Sequence, residues 1–207
     1  MVARNGVLLV ISAPSGTGKS TLVHELLSRM DGVEFSVSFT TRKMRDGERD
    51  GRDYHFIRRD RFDAMIGAGE FLEWADVFDA RYGTGRSVSL ERLSAGRDLI
   101  LDIDIQGGRQ LRASGIDAVS VFILPPSFSA LKSRLESRGT DSADQVAARL
   151  SMARIEAEEV KYYDYVVVND DLESAVDQLI TILSAERLRV SRRRPATREV
   201  LSTFPSE

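Results

Sequence analysis

Residues 7–21 read VLLVISAPSGTGKST, an apolar run followed by a glycine-bearing turn that ends in Lys-Ser-Thr. The run predicts a short buried strand that stops at Ser12. The turn predicts a phosphate-binding loop through Gly16 and Gly18, because residues without a Cβ let backbone N–H groups converge on an anion. A helix is expected to begin near Lys19, with its first N–H groups and its positive dipole end facing the phosphates. The stretch therefore predicts a P-loop, a site for nucleotide phosphates.

The loop also predicts individual ligands for ATP and Mg²⁺. Lys19 is expected to reach the β- and γ-phosphates, and the Ser20 hydroxyl to coordinate the ion. Ala13 stands where the pattern G-x-x-x-x-G-K-[ST] has its first Gly, so we expect a slightly altered turn and a retained site. An ordinary strand-turn-helix with a surface lysine is the alternative. The predicted ATP-binding loop residues are Ala13, Pro14, Ser15, Gly16, Thr17, Gly18, Lys19, Ser20 and Thr21.

The composition is that of a globular protein. The 207 residues are 42% hydrophobic and 29% charged, which suits one core with appendages. The net charge of −3 gives no general attraction for polyanions, so no nucleic-acid partner is expected. The absence of cysteine excludes disulfides, thiolate metal sites and a cysteine nucleophile. That absence is also compatible with a reducing cytoplasm, where we expect this protein. No run approaches the roughly 18 apolar residues of a membrane span, so no membrane partner is expected.

Apolar runs rich in β-branched residues recur at 7–11, 99–103, 119–124 and 165–168, each followed by a polar turn and a helix-like segment. This alternation predicts an α/β fold of three layers, α/β/α, with a parallel central sheet and with ligands outside the carboxyl ends of its strands. Helical stripes at residues 146–160 and 172–183 are expected to pack against the core.

The segment 35–85 differs from the rest, being dense in Arg, Asp, Gly and aromatic residues with short alternating pieces. It predicts a small β-rich insertion between two parts of the P-loop core, 1–34 and 86–207. Within the insertion, Arg42 and Arg45 lie three positions apart, with Ser38 before them and Tyr54 after. Such a group can surround a phosphate monoester with charge-assisted bonds and a phenolic donor. A solvated basic loop, paired with its own acidic residues, is the alternative.

A helical lid is expected at about 134–160, with a turn at Gly139-Thr140, because phosphate-transfer sites exclude water during the reaction. Its arginines Arg134, Arg138 and Arg149 would lie close to one end of the sheet. The basic tail at about 190–207 predicts a frayed, solvated terminus, with anion binding as the alternative.

From about Val7 to Leu183 the chain resembles the guanylate kinase family. The P-loop alone does not separate a kinase from a GTPase or a motor, whereas the resemblance covers several spaced motifs. These motifs lie at 13–21, 36–54, 70–74, 82–84, 101–107, 134–140 and 168–171.

The resemblance implies Mg²⁺-dependent phosphoryl transfer from ATP to GMP or dGMP, which yields ADP and GDP or dGDP. It implies that Glu73 and Asp104 accept the N1–H and the exocyclic amine of guanine, a donor pair that adenine lacks. It also implies that Asp102 lies near Mg²⁺ and that Asn169 contacts the donor adenine. The GMP-binding residues implied are Ser38, Arg42, Arg45, Glu48, Tyr54, Glu73, Tyr82, Thr84, Asp102 and Asp104.

In the proposed catalytic group, Lys19 would offset charge on the β- and γ-phosphates and Arg42 would reduce repulsion between the two anionic substrates. Arg134, Arg138 and Arg149 would stabilise the transferring phosphoryl group. Ser20 and Asp102 form the predicted metal site. Two simpler roles stay open: Asp102 as the cap of the next helix and Asn169 as a turn residue. A kinase of a ribose bisphosphate and a non-catalytic guanylate-kinase-like binding module are the alternative functions, and the oligomeric state is left open.

Overall fold

The computed structural model describes residues 4–77, 79–137 and 142–205, apart from the side chain at position 195. The strands are β1 (Leu8–Ser12), β2 (Val33–Phe35), β3 (Phe39–Thr40), β4 (His55–Phe56), β5 (Phe71–Val77), β6 (Ala80–Gly85), β7 (Asp98–Asp102), β8 (Ala118–Leu124) and β9 (Tyr165–Val168). The helices are α1 (Lys19–Arg29), α2 (Arg59–Gly67), α3 (Arg86–Ser94), α4 (Ile105–Ser114), α5 (Phe128–Ser137), α6 (Ala143–Ala157), α7 (Leu172–Glu186) and α8 (Arg194–Leu201), with a 3-10 turn at Glu158–Tyr162.

The central sheet has five parallel strands in the order β2-β7-β1-β8-β9. Successive side chains of β1 point to opposite faces, as the period of a strand requires. Leu9 and Ile11 pack with residues of α1 and α7 on one face, and Leu8 and Val10 pack with residues that include Leu111 of α4 on the other. The predicted three-layer α/β/α fold is therefore confirmed, and the observed strands begin and end within one residue of the predicted ones.

A second sheet takes all its strands from residues 39–85, in the order β4-β3-β6-β5. Strand β6 pairs antiparallel with both β3 and β5, while β3 and β4 are parallel. Phe62 and Met65 of α2 pack on Phe71 of β5 in a separate small core. Because β5 also contacts α4, this sheet lies beside the carboxyl end of the central sheet.

The amino end of β7 is tied to both ends of the chain by Asp98, whose side chain is 0% exposed. It accepts hydrogen bonds from Arg4 Nη2 at 2.9 Å, Arg187 Nε at 2.6 Å and the Val7 N–H at 2.7 Å. Two cations and a backbone donor thus satisfy a fully buried carboxylate, which a buried charge requires.

The prediction of a frayed, solvated basic tail is wrong at Arg192 and for the helix α8, while residues 197–205 are exposed to solvent. Arg192 is 3% exposed and donates to the carbonyl of Gly6 and to Asp117, while α8 follows it directly. A long arginine can be buried in this way because its head group is hydrogen-bonded. The predicted lid turn at 139–140 lies outside the described residues. Among the described helices, none is long and apolar enough to cross a bilayer.

Candidate functional site

The predicted P-loop connects β1 to α1. Gly16 and Gly18 have φ of 95° and 91°, a left-handed region that glycine adopts without strain. A Cβ on Gly18 would lie 2.6 Å from Asn169 Nδ2, and one on Gly16 would lie 2.7 Å from a methyl of Leu135. Both glycines are therefore required by backbone conformation and by close neighbours. Ala13, at the first position of the pattern, packs against the central core, so its methyl group is accommodated.

Lys19 begins α1, as predicted, and its side chain turns toward the end of the neighbouring strand. Its Nζ forms an ion pair with Asp102 Oδ1 and donates to the carbonyl of Ile103 at 3.2 Å. Asp102 is the last residue of β7 and its side chain is 22% exposed. Ser20 and Thr21 follow in the first turn of α1 and are exposed. The lysine and the carboxylate therefore lie together where parallel strands end, the usual position of ligand sites in such sheets.

A cleft of about 170 Å³, called the central cleft below, opens between the two sheets. It brings together seven polar residues from six separate segments of the chain, and all seven are predicted from the sequence. Its lining consists of Lys19, Ser38, Tyr54, Glu73, Ala75, Val77, Tyr82, Asp102, Ile103 and Asp104.

The predicted base-reading carboxylates both line this cleft. Glu73, in β5, is 4% exposed and accepts a 2.6 Å hydrogen bond from the hydroxyl of the buried Thr84. Burial raises the pKa of Glu73 to about 7, and the nearby Asp104 adds to the shift. Asp104 Oδ1 accepts the N–H of Gly107 at 2.9 Å and so caps α4. The capping role that the sequence left open for Asp102 therefore belongs to Asp104.

The predicted phosphate-monoester group is assembled only in part. Arg42 forms a bidentate pair with Glu48, with distances of 2.7 and 3.0 Å, and its guanidinium lies 5.3 Å from the centre of the Tyr54 ring. Glu48, whose side chain also accepts the N–H of Arg45, has its pKa lowered to about 2, chiefly by Arg42. The Tyr54 and Tyr82 rings pack edge to face at 5.7 Å. In this structure Arg42 is therefore paired with an acidic residue of its own loop, which was the alternative to a phosphate site.

Two of the arginines predicted for a lid, Arg134 and Arg149, contact the P-loop. Arg134 of α5 donates to the carbonyls of Asn169 and Thr17, at 2.9 and 3.4 Å, and Arg149 of α6 donates to the Ser15 hydroxyl at 3.3 Å. Arg138 lies outside the described residues. Asn169 is buried and its Nδ2 donates to the Thr17 carbonyl at 2.6 Å, so it bridges two loops.

Sequence reasoning missed Glu156, which also reaches this site. Burial raises the pKa of this α6 carboxyl, with Asp104 adding to the shift and Lys19 and the Ser15 N–H opposing it. The spacing held a usable signal, since Glu156 follows Arg149 by seven residues and both therefore lie on one helix face.

Carboxylate and hydroxyl oxygens at Asp102 and Ser20 are ligands of the type that Mg²⁺ prefers. In the part of the chain that the structure describes, no group of three or more His, Cys, Asp or Glu side chains is arranged to hold a metal ion. Mg²⁺ usually keeps several waters and takes one or two protein ligands together with substrate phosphates. The two residues fit that kind of site and do not fit an all-protein cage.

In this parallel sheet, β1 is followed by a glycine-containing loop and by a helix that begins with a lysine. This arrangement defines a P-loop nucleotide-binding protein. A family model described as guanylate kinase matches residues 5–186. The guanylate kinase of Rhodopseudomonas palustris is 52% identical over 92% of this chain and 87% of its own length. That of Aromatoleum aromaticum is 50% identical over 89% and 90%. The crystal structure of guanylate kinase from Anaplasma phagocytophilum superposes with a TM-score of 0.80 at 35% identity, and covers 100% of both chains. The chain belongs to the guanylate kinase family.

Proposed function

We propose that this protein transfers the γ-phosphoryl group of ATP to GMP or dGMP. The observation that supports this most is the central cleft, which places Lys19 and Asp102 of the P-loop side opposite the buried carboxylate of Glu73. A nucleotide triphosphate on the P-loop and a purine against Glu73 and Asp104 would then face each other across one cleft. The names of the relatives agree with this assignment.

In the proposed reaction, a phosphate oxygen of GMP forms a bond to the γ-phosphorus while the bond to the β-phosphate oxygen breaks and ADP leaves. The acceptor oxygen is already ionised, so no general base is needed. Lys19 would exchange its ion pair with Asp102 for the β- and γ-phosphates, which offsets their charge. Bound Mg²⁺, held by the released Asp102 and by Ser20, would supply further neutralisation of that charge.

On the acceptor side, Arg42, Arg45, Tyr54 and Tyr82 would hold the phosphate of GMP. The guanidinium of Arg42 already lies beside Tyr54, so a phosphate could replace Glu48 as its anionic partner or share it. The ionised forms of Glu73 and Asp104 would accept the N–H groups of guanine, which adenine cannot supply in the same arrangement.

The division into parts also stays a proposal: a core of 1–34 and 86–207, an acceptor-binding insertion at 35–85 and a lid at about 134–160. The contacts from α5 and α6 to the P-loop carbonyls and to Ser15 support a lid that works over the triphosphate. Closure would bring Arg134, Arg138 and Arg149 to the transferring group and limit transfer to water. A cytoplasmic location is proposed on the same family basis, and the oligomeric state stays open.

The experiment that tests this function measures ADP release from ATP and Mg²⁺ with GMP, dGMP, AMP, UMP, dTMP or a ribose bisphosphate as acceptor, and with no acceptor. Turnover restricted to GMP and dGMP is expected. Equal turnover without an acceptor would contradict it, and so would turnover only with a ribose bisphosphate. Tight GMP binding with no turnover would instead indicate a binding module.

A further inference from the structure

Gly107 is the third residue of α4, and it lies against two of the carboxylates that line the central cleft, those of Asp104 and Glu73. Its N–H donates to Asp104 Oδ1 at 2.9 Å. On its other side the Cα carries no side chain, and a Cβ built there would overlap Glu73 Oε2. One buried residue therefore lies against two acidic side chains that come from different segments of the chain.

The glycine is not explained by the conformation of its own backbone. Its φ is not positive and it lies within a regular helix, where alanine is more favourable by about 1 kcal/mol. The close approach of the Glu73 carboxylate supplies the explanation, because a methyl group would occupy the volume that Oε2 now fills. Ile103 Cδ1 would lie 3.2 Å from the same methyl, a smaller encroachment that a flexible side chain can relieve.

Glu73 is also held on its other side, so its orientation depends on the space beside Gly107. Oε1 is held by the Thr84 hydroxyl at 2.6 Å, and the residue is buried, so the carboxylate has little freedom to turn. The first turn of α4 is likewise fixed by the Asp104 cap. Added bulk at position 107 would therefore move Glu73 before it moved the helix, since a terminal carboxylate is easier to displace than a capped helix.

We propose that Gly107 is a positioning residue for base selection. Because it has no side chain, Glu73 Oε2 can occupy the space beside α4, and Glu73 and Asp104 can present their oxygens together to the acceptor base. The inference rests on the proposed function, because it takes GMP to be the acceptor. Gly107 itself need not touch the nucleotide.

The test is Gly107→Ala, with KM for GMP, KM for ATP and kcat measured separately. We expect KM for GMP to rise by about 10–100-fold, as a lost hydrogen bond to a charged group would produce, while KM for ATP stays unchanged. Gly67→Ala is the matched control, since Gly67 ends α2 and a Cβ there would meet nothing within 4 Å. An unchanged KM for GMP in Gly107→Ala overturns the inference and leaves the proposed function intact, whereas a wild-type protein that does not use GMP overturns the function first.

A double-mutant cycle shows whether the effect passes through Glu73. In a Glu73→Ala background there is no carboxylate to displace, so adding Gly107→Ala should change KM for GMP no further. A persistent rise in that background overturns the inference. If Gly107→Ala alone does not fold, the double variant should fold because the overlapping group is gone. Failure of both to fold would place the clash elsewhere and would also overturn it.

Discussion

Strand β7 begins and ends with an aspartate, and the two carboxylates differ in exposure and in their partners. Asp98 is 0% exposed and is bonded to Arg4, Arg187 and a backbone N–H. Asp102 is 22% exposed, faces the central cleft and forms an ion pair with Lys19. The cluster around Asp98 is closed to solvent and so stabilises the fold. The Lys19–Asp102 pair is open to the central cleft, so each residue can exchange its partner for a ligand.

The comparison shows that residue type and secondary structure do not separate a structural from a functional ion pair. The end of the strand at which the pair lies does separate them: at the amino end Arg4, Val7 and Arg187 cover the carboxylate, while at the carboxyl end the carboxylate lines the central cleft. Five experiments test this distinction.

The largest effect is expected from Asp98→Ala, which leaves two arginines and the Val7 N–H without their buried partner. The free energy of unfolding should fall by about 3–5 kcal/mol, the usual cost of breaking a buried pair from one side, as measured by urea denaturation. Glu136→Ala is the control, because Glu136 is exposed and lies 3.9 Å from Lys132 on α5. It should change stability by no more than about 1 kcal/mol. Equal effects of the two substitutions would contradict a structural role for Asp98.

Lys19→Ala should act on turnover and not on the fold. With GMP as acceptor, kcat should fall by roughly 10²–10³-fold, since one preorganised contact to the developing charge is removed. The urea midpoint should stay close to that of the unchanged protein, because the pair with Asp102 is open to solvent. Lys132→Ala removes an exposed lysine of α5 and should leave kcat unchanged. A large loss of stability in Lys19→Ala would show that both aspartate pairs hold the fold.

The raised pKa of Glu73, about 7, predicts a pH-dependent KM for GMP. The ionised carboxylate accepts the guanine N–H groups, so KM should rise as the pH falls below 7, by up to tenfold per pH unit. Glu73→Gln should raise KM at neutral pH and remove this dependence. Steady-state kinetics between pH 5.5 and 8.5 measure both, and an unchanged profile in the variant would rule out Glu73 as the titrating group.

Glu73 should also lower stability as the pH rises. Its folded pKa of about 7 exceeds the ordinary value of 4.5, so no cost exists below about pH 4.5, where both states are protonated. The cost grows between pH 4.5 and 7 and is constant above that range, reaching at most about 3 kcal/mol. Glu73→Gln should therefore be more stable than the unchanged protein at pH 8 but not at pH 4. Denaturation midpoints at the two pH values test this difference.

The smallest effect is expected from Glu48→Gln, which alters the ion pair with Arg42, a pair about as exposed as that of Lys19 with Asp102. Glu48 is ionised at neutral pH, since its pKa is lowered to about 2, and it orients the Arg42 guanidinium over Tyr54. We expect KM for GMP to rise a few-fold with kcat unchanged. A fall in KM would mean that Glu48 competes with the phosphate and does not orient its arginine.

Local spacing made much of the fold predictable. The strand, glycine loop and helix of residues 7–21 were located from the sequence to within one residue, because hydrophobic period and glycine placement act over short distances. The burial of Arg192 in the basic tail could not be predicted in this way, since its hydrogen-bond partners Gly6 and Asp117 lie 186 and 75 positions away in the sequence. The spacing from Arg149 places Glu156 on the same helix face, but its neighbours Ser15, Lys19 and Asp104 come from other segments and follow only from the packing.

Short-range sequence patterns are enough to predict the P-loop, the parallel α/β architecture and the acidic and basic residues available for a second ligand. The partners of those charged residues depend on tertiary contacts: Lys19 pairs with Asp102, Arg42 pairs with Glu48, and Glu73 is buried between Thr84 and Gly107. Backbone conformation follows from nearby residues, whereas the burial and partners of a charged group depend on contacts between distant segments, which exist only once the two sheets have packed.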